Sequence, residues 1–269
     1  MSEINSIIVF GPTGTTGLHI LKRAILEGLE VTVYVRNPKK IPESICAKLY
    51  RIIQGDVLDK TRVENAIEGH DAVLSALGQG GNNRDNRLLS EGCQNIVSGM
   101  KKHNVTKLVI VSMGTFLTRE RPRFNRFWKR IGFYDDHQRQ IKILEEERES
   151  IDWIMMMPSN IRNSTNINPD YKVEKNNIPG EYSVTAGELA DFMVKVFMDR
   201  TSTECFKHTK LGISSYPKRK FSCKISMSVA MGLFAFAIGA MLYYRMLPDV
   251  LQEFVDNVTN HGTDAIKDQ

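Results

Sequence analysis

Apolar and polar positions along the chain fall into two alternating rhythms. Compact runs of mostly β-branched or aliphatic residues at 7–10, 31–35, 51–57, 71–75, 108–111 and 152–157 have the length and density of buried strands. Between them, residues 18–26, 61–68, 90–103 and 138–149 repeat their apolar positions every three to four residues, the rhythm of a helix with one covered face. Asp135-Asp136-His137 leads the last of these helices. A polar, Asn-rich loop runs on to Gly180, a short strand follows at 182–184, and a helix at 186–198. Strands alternating with helices predict an α/β fold, a Rossmann-like doubly wound parallel sheet with helices on both faces. Met155, Met156 and Met157 lie within the sixth strand and read as core filler.

The first strand runs directly into Gly11-Pro12-Thr13-Gly14-Thr15-Thr16-Gly17 and then into a helix. Gly11 permits a tight turn, Gly14 leaves backbone N–H groups open to a pyrophosphate, and Gly17 lets the helix pack closely. Unpaired N–H groups and the positive dipole end at that helix start favour an anion. The spacing is G-x-x-G-x-x-G, one step away from the common dinucleotide fingerprint. Where an NAD site would place a carboxylate after the second strand, this chain has Arg36-Asn37-Pro38-Lys39-Lys40. A guanidinium suits a 2′-phosphate that a carboxylate would repel, so NADP(H) is the expected cofactor. Ligands of such sheets lie beyond the carboxyl ends of the strands. The cofactor set is therefore the glycine turn, Arg36, Asp56, Val57, Ala76, Leu77 and Gly78, and the later strand ends carry Ser112, Met113, Pro158, Asn160 and Ile161.

Composition narrows the partners. A hydrophobic content of 42% and a charged content of 25% describe an ordinary globular chain with one sizeable core. The net charge of +5 is spread too thinly to indicate nucleic acid. Cys46, Cys93, Cys205 and Cys223 form no C-x-x-C pair and have no histidine at ligand spacing, so reduced thiols and no metal are expected. The first apolar run is the strand itself and lacks a basic leader, so no secretory signal is expected. Between 119 and 132, arginines and lysines interleave with Phe124, Phe127 and Trp128. This is either a solvated helix whose aromatics pack on the domain, or a surface that rests on anionic lipid or gates the substrate mouth. RNA stacking is the poorer reading, because nothing else in the chain supplies a nucleic-acid groove.

Several of these segments together resemble the biliverdin-IXβ reductase / NADPH flavin reductase family, an atypical branch of the short-chain dehydrogenases. The resemblance is carried by the glycine turn, Val35-Arg36-Asn37, Gly55-Asp56-Val57 and Ala76-Leu77-Gly78. It continues through Ser90-Glu91-Gly92, Asn95-Ile96-Val97, Met100-Lys101, His103, Asp135-Asp136-His137, Pro158 with Ile161, the run from Glu188 to Met193, and His208-Thr209. It covers about residues 4–215 and implies NADPH lying across the strand ends, with hydride passing to a flavin or linear tetrapyrrole. By the same resemblance Ser112 and His137 are the catalytic candidates, and Met113 and Asn160 touch substrate. Asn160 stands where the family has a histidine, which removes a titratable group. Tyr134 is followed four residues on by Gln138, so the Tyr/Lys pair of alcohol–ketone chemistry is absent, and a nucleotide-sugar epimerase is disfavoured. The alternative function is a non-catalytic NADP(H)-sensing scaffold at a membrane.

The membrane enters through the C-terminus. Residues 225–244 contain no charged side chain, enough for a bilayer core of roughly 30 Å at about 1.5 Å per residue. The expected organisation is a reductase domain at 1–215, a basic linker at 216–224, a transmembrane helix at 225–247 and a short tail at 248–269. A buried hairpin helix or an interfacial helix is the competing reading, because Ser226, Ser228, Gly232 and Gly239 dilute the segment. Lys218, Arg219, Lys220 and Lys224 precede the span while Arg245 alone follows closely, which places the large domain in the cytosol. The endoplasmic reticulum is favoured, with the mitochondrial outer membrane as the alternative, and Asn257-Val258-Thr259 would be a lumenal sequon. Ala235 and Gly239 offer a small-residue face for a homodimer.

Overall fold

The computed structural model describes residues 4–78, 87–117, 133–180 and 183–215. The chain divides into two units, Met1–Arg219 and Lys220–Gln269. All described residues belong to the first. Its elements begin with β1 (Ser6–Phe10), α1 (Thr15–Leu26), β2 (Glu30–Val35), α2 (Glu43–Cys46), β3 (Arg51–Gln54), α3 (Lys60–Ile67) and β4 (Ala72–Ser75). They continue with α4 (Leu88–Lys102), β5 (Lys107–Val111), α5 (Phe133–Glu146), β6 (Asp152–Met156), β7 (Ile161–Arg162) and β8 (Lys172–Lys175). The last are β9 (Val184–Thr185), α6 (Ala186–Met198), α7 (Arg200–Phe206) and β10 (Thr209–Ser214).

The eight-stranded sheet runs β3-β2-β1-β4-β5-β6-β10-β8. Every neighbouring pair is parallel except β10 and β8. The order reverses at β1, so the ends of β1 and β4 open a crevice there. Alternation along β1 divides the core: Ile7 and Val9 join α1 and α6 on one face. Ile8 and Phe10 join α3, α4 and α5 on the other. Met155 and Met157 belong to this second layer and Met156 to the first, so the methionine run fills both.

Three expectations need correction. The third strand stops at Gln54 instead of reaching Val57, because Gly55-Asp56-Val57 turns away to start α3. The Asn-rich stretch is not all loop: it contains β7 and β8, and β8 pairs antiparallel with β10 along the sheet edge. The charged helix begins at Phe133 and ends at Glu146. Among the described residues no helix is long and apolar enough to cross a membrane. The expected anchor at 225–247, the linker and tail beside it, and the basic–aromatic stretch 119–132 lie outside the described residues.

The face between α1 and α6 holds a buried charge. Asp191 is 1% exposed and meets Arg23 Nη1 at 3.1 Å and Lys195 Nζ at 2.8 Å. The Tyr171 hydroxyl donates to Asp191 Oδ2 at 2.9 Å. Burial, followed by the Asp191 charge, pushes the Tyr171 phenol up and keeps it a donor. Asp191→Ala is expected to destabilise the domain by about 2 kcal/mol, below the usual range for a broken buried pair because Lys195 can turn to water. Urea unfolding measures it, and an unchanged midpoint would contradict the assignment.

Candidate functional site

The glycine turn is fixed by contact rather than by hydrogen bonds to side chains. Gly11 has φ +74°, and a Cβ there would lie 2.5 Å from the Ala76 carbonyl oxygen. A Cβ on Gly17 would lie 2.1 Å from the Gly11 carbonyl oxygen and 2.8 Å from Pro12 Cα. Gly17 therefore packs against the turn itself. Gly14 differs: the nearest atom to a Cβ there is the Gly11 carbonyl oxygen at 3.5 Å. It is the cap residue of α1, and no side chain caps the first N–H groups of that helix. Thr13 is half-buried, Thr15 exposed and Thr16 buried at this start. The geometry suits a pyrophosphate held by backbone donors.

Beyond β2 and β3 lies a pocket of about 340 Å³ lined by Arg36, Gln54, Gly55, Asp56 and Arg62. Tyr34 is tied to this lining, donating its hydroxyl to the Asp56 carbonyl at 2.9 Å. Gly55 is required beneath it, since a Cβ would come within 2.2 Å of that hydroxyl oxygen. Burial, with the nearby Asp59 carboxylate, pushes the Tyr34 phenol up to about 12. The Asp56 carboxylate accepts from Leu58 N at 3.0 Å, and the Val57 carbonyl accepts from Asn95 Nδ2 at 2.9 Å. Val57 is buried, while Arg36 and Asp56 are exposed. Ala76 and Leu77 are half-buried and Gly78 is exposed at the end of β4, where a Cβ on Gly78 would meet nothing. Arg62 was not among the expected residues. Its signal was present, because Asp59 caps α3 and sends the third residue of that helix back toward Gln54.

The second half of the site joins the ends of β5 and β6. Ser112 N donates to the Met156 carbonyl at 2.8 Å and Gly114 N to the Pro158 carbonyl at 2.9 Å. No side chain fits at Gly114, whose Cβ would lie 2.8 Å from the carbonyl oxygens of both Met157 and Pro158. Ser112 Oγ and His137 Nδ1 share a hydrogen bond of 2.9 Å, and both residues are buried. His137 thus lies beneath the surface. Asp136, fully buried, accepts from Leu89 N at 2.8 Å, Ser90 N at 3.0 Å and Ser90 Oγ at 2.5 Å. It caps α4 from outside and fixes the first turn of α5. The Asp-Asp-His run is therefore one cap and one site residue. Tyr134 is buried and stacks on Phe116 at 4.5 Å between centroids. Met113 is half-buried, and Asn160 is exposed with its carbonyl accepting from Val184 N at 2.9 Å. Ile161 is paired with Val184 in the small sheet, and Pro158 is buried.

Burial, against a partly compensating Asp136 charge, pulls the His137 imidazole down to about 4. The unfolded chain takes up that proton near 6.5, so stability is full above about pH 6.5 and falls as the pH drops toward 4. The expected loss from this residue is about 3 kcal/mol. Urea unfolding of His137→Gln should show a correspondingly shallower decline between pH 7 and 4 than the parent. Parallel curves would contradict a buried, neutral His137. Among the described residues, Cys46, Cys93 and Cys205 are free thiols, and burial pushes Cys93 up to about 12.

The comparisons agree with this geometry. The family model described as NAD(P)H-binding matches residues 11–200. A protein from Lactobacillus casei shares the fold with a TM-score of 0.66 at 19% identity, over 79% of this chain and 100% of its own. A short-chain dehydrogenase/reductase from Veillonella parvula, solved in complex with NADP, aligns with a TM-score of 0.64 at 17% identity, over 80% of this chain and 96% of its own. An oxidoreductase from Lactococcus lactis aligns with a TM-score of 0.63 at 16% identity, over 79% of this chain and 92% of its own. These identities speak for the fold, and the family match covers more than half of the sequence. The chain belongs to the NAD(P)H-binding family of Rossmann-fold proteins.

Proposed function

We propose that this protein is an NADPH-dependent reductase that passes hydride to a flavin or linear tetrapyrrole-like acceptor. The carrying observation is the buried Ser112–His137 pair at the end of β5, in the same row of strand ends as the glycine turn and the Arg36 pocket. Gly14 with the uncapped start of α1 fits a pyrophosphate, and Arg36 fits a 2′-phosphate. The NADP complex of the Veillonella relative is consistent with that choice. When bound, the dihydronicotinamide supplies the hydride. Ser112 presents its hydroxyl to the acceptor, and His137 Nδ1 orients that hydroxyl. The neutral imidazole and the missing Tyr/Lys pair fit an acceptor that needs no strong acid, as a flavin or tetrapyrrole does. The resemblance at Ser90–His103 and Asp135–His137 supports this acceptor class, with Met113 and Asn160 at its edge.

Purified full-length protein should oxidise NADPH with at least one of FMN, FAD, riboflavin and biliverdin, followed by NADPH absorbance. Turnover with none, alongside tight NADPH binding, would favour a nucleotide-sensing scaffold. Arg36→Asp should weaken NADPH by about 2–4 kcal/mol through a lost charge-assisted contact and added repulsion, with NADH far less affected. Equal losses would show that Arg36 does not read the 2′-phosphate.

The same proposal places the enzyme on a membrane through 225–247, facing the cytosol, on the uncharged length of that segment and the basic residues before it. Alkaline carbonate extraction should leave the full-length chain in the pellet and release a version ending at Ser222. Release of both would rule out the anchor.

A further inference from the structure

We propose that Arg62 is a second 2′-phosphate-binding residue, closing a two-guanidinium clamp with Arg36. This rests on the NADPH reading above and extends it to a residue on a different element. Arg36 follows β2 and Arg62 belongs to the first turn of α3, yet both line one pocket of about 340 Å³. Gln54 links them: its Nε2 donates to the Arg36 carbonyl at 3.2 Å, and its own carbonyl accepts from Arg62 Nη1 at 3.4 Å. The arm of Arg62 is thereby turned back toward β3 instead of out along its helix.

The charges decide what this pocket takes. Its lining carries two guanidinium groups and the Asp56 carboxylate, a net positive wall. A phosphate monoester carries about −1.5 to −2 at neutral pH, enough to engage both cations where a ribose hydroxyl engages neither strongly. Arg62 also faces Asp59, with Nε 3.4 Å from Oδ2, but the two side chains are 65% and 45% exposed. Such a surface pair is weak and exchangeable. The backbone cap from Asp59 to Arg62 N, at 3.1 Å, survives any change of the Arg62 side chain. Arg62 keeps spare donors on a planar fork that matches phosphate oxygens.

The test is isothermal titration of full-length protein with NADPH, NADH, 2′-AMP and 5′-AMP, comparing the parent with Arg62→Gln, Arg62→Lys and Arg36→Gln. Arg62→Gln should weaken NADPH and 2′-AMP about tenfold and leave NADH and 5′-AMP within about twofold, with Arg62→Lys intermediate. The melting temperature of each variant, expected unchanged for this exposed side chain, separates binding from folding. Equal weakening of all four ligands, or a loss explained by a lower melting temperature, would overturn the clamp. If Arg62→Gln binds like the parent while Arg36→Gln loses NADPH selectively, the clamp fails and the Arg36 assignment stands. If neither variant changes the preference for NADPH, both the clamp and the Arg36 assignment fall.

Discussion

Gly17→Ala should cost the domain at least about 3 kcal/mol and abolish dinucleotide binding. The added methyl would sit 2.1 Å from the Gly11 carbonyl oxygen and within 2.9 Å of two Pro12 backbone atoms, none of which is a flexible side-chain end. The turn has little room to retreat, because Gly11 at φ +74° lies so near the Ala76 backbone that even a Cβ on it would come within 2.5 Å of the carbonyl oxygen. Relief therefore requires α1 to move off the sheet, away from its packing on β1 and α6. Gly14→Ala is the informative contrast. Its methyl would have 3.5 Å to the nearest protein atom, an ordinary contact, at a residue whose φ of −75° any side chain accepts. The fold should be untouched and the melting temperature unchanged. NADPH affinity should nevertheless fall sharply if the pyrophosphate fills that space. Thermal unfolding and calorimetric titration of the two variants separate a structural glycine from a ligand-facing one. A Gly14→Ala protein that binds NADPH like the parent would move the pyrophosphate elsewhere.

The second large effect falls on the Ser112–His137 pair. Ser112→Ala removes the hydroxyl proposed to face the acceptor and, with it, the 2.9 Å hydrogen bond to His137 Nδ1. Turnover should drop roughly 10²-fold or more, the scale of a lost positioned proton donor. The lost hydrogen bond should also cost about 1–3 kcal/mol of stability. Binding of NADPH should stay within about twofold, because Ser112 follows β5 whereas the proposed phosphate contacts are the start of α1, Arg36 after β2 and Arg62 on α3. His137→Gln should lower turnover with an unchanged Kd as well, since it acts by holding the serine. Steady-state rates measured beside nucleotide affinity decide the point. A drop in affinity matching the drop in rate would make the pair a binding feature, and an unchanged rate would remove it from the chemistry.

How much of this was legible in the sequence depended on how local each signal is. Strands β1, β2, β4, β5 and β6 were readable because burial on both faces concentrates apolar residues into short runs, and the edge strand β3 was readable from Ile52-Ile53 beside them. The glycine turn was readable because φ above zero and backbone approach at 2.1–2.5 Å admit only glycine. Strand β8 was missed because a half-covered edge carrying Lys172, Glu174 and Lys175 has no hydrophobic signature. Strand β10 went unread too, although Leu211 and Ile213 supply its core contacts. Asp136 illustrates the limit of motif reading: adjacent to His137 in sequence, it serves a different helix 46 residues away. Arg62 was overlooked although the Asp59 cap is readable, because the cap fixes only its backbone and the turn of its side chain to the Gln54 carbonyl comes from the fold. Of the strand ends named as cofactor residues, Gly11 lies against Ala76 and Arg36 shares a pocket with Asp56, while Pro158 and Ile161 are held mainly by the protein's own backbone.

The central claim is hydride transfer from nicotinamide, and a single-turnover experiment addresses it most directly. Full-length protein would be mixed anaerobically with FMN and NADPH carrying deuterium at one or the other face of nicotinamide C4. NADPH absorbance should decay as FMN is reduced, and more slowly for one label face only, as enzymatic hydride transfer from a held nicotinamide requires. Bound NADPH with no loss of absorbance and no reduced FMN, repeated with FAD, riboflavin and biliverdin, would contradict the account and leave a protein that binds the nucleotide without using it.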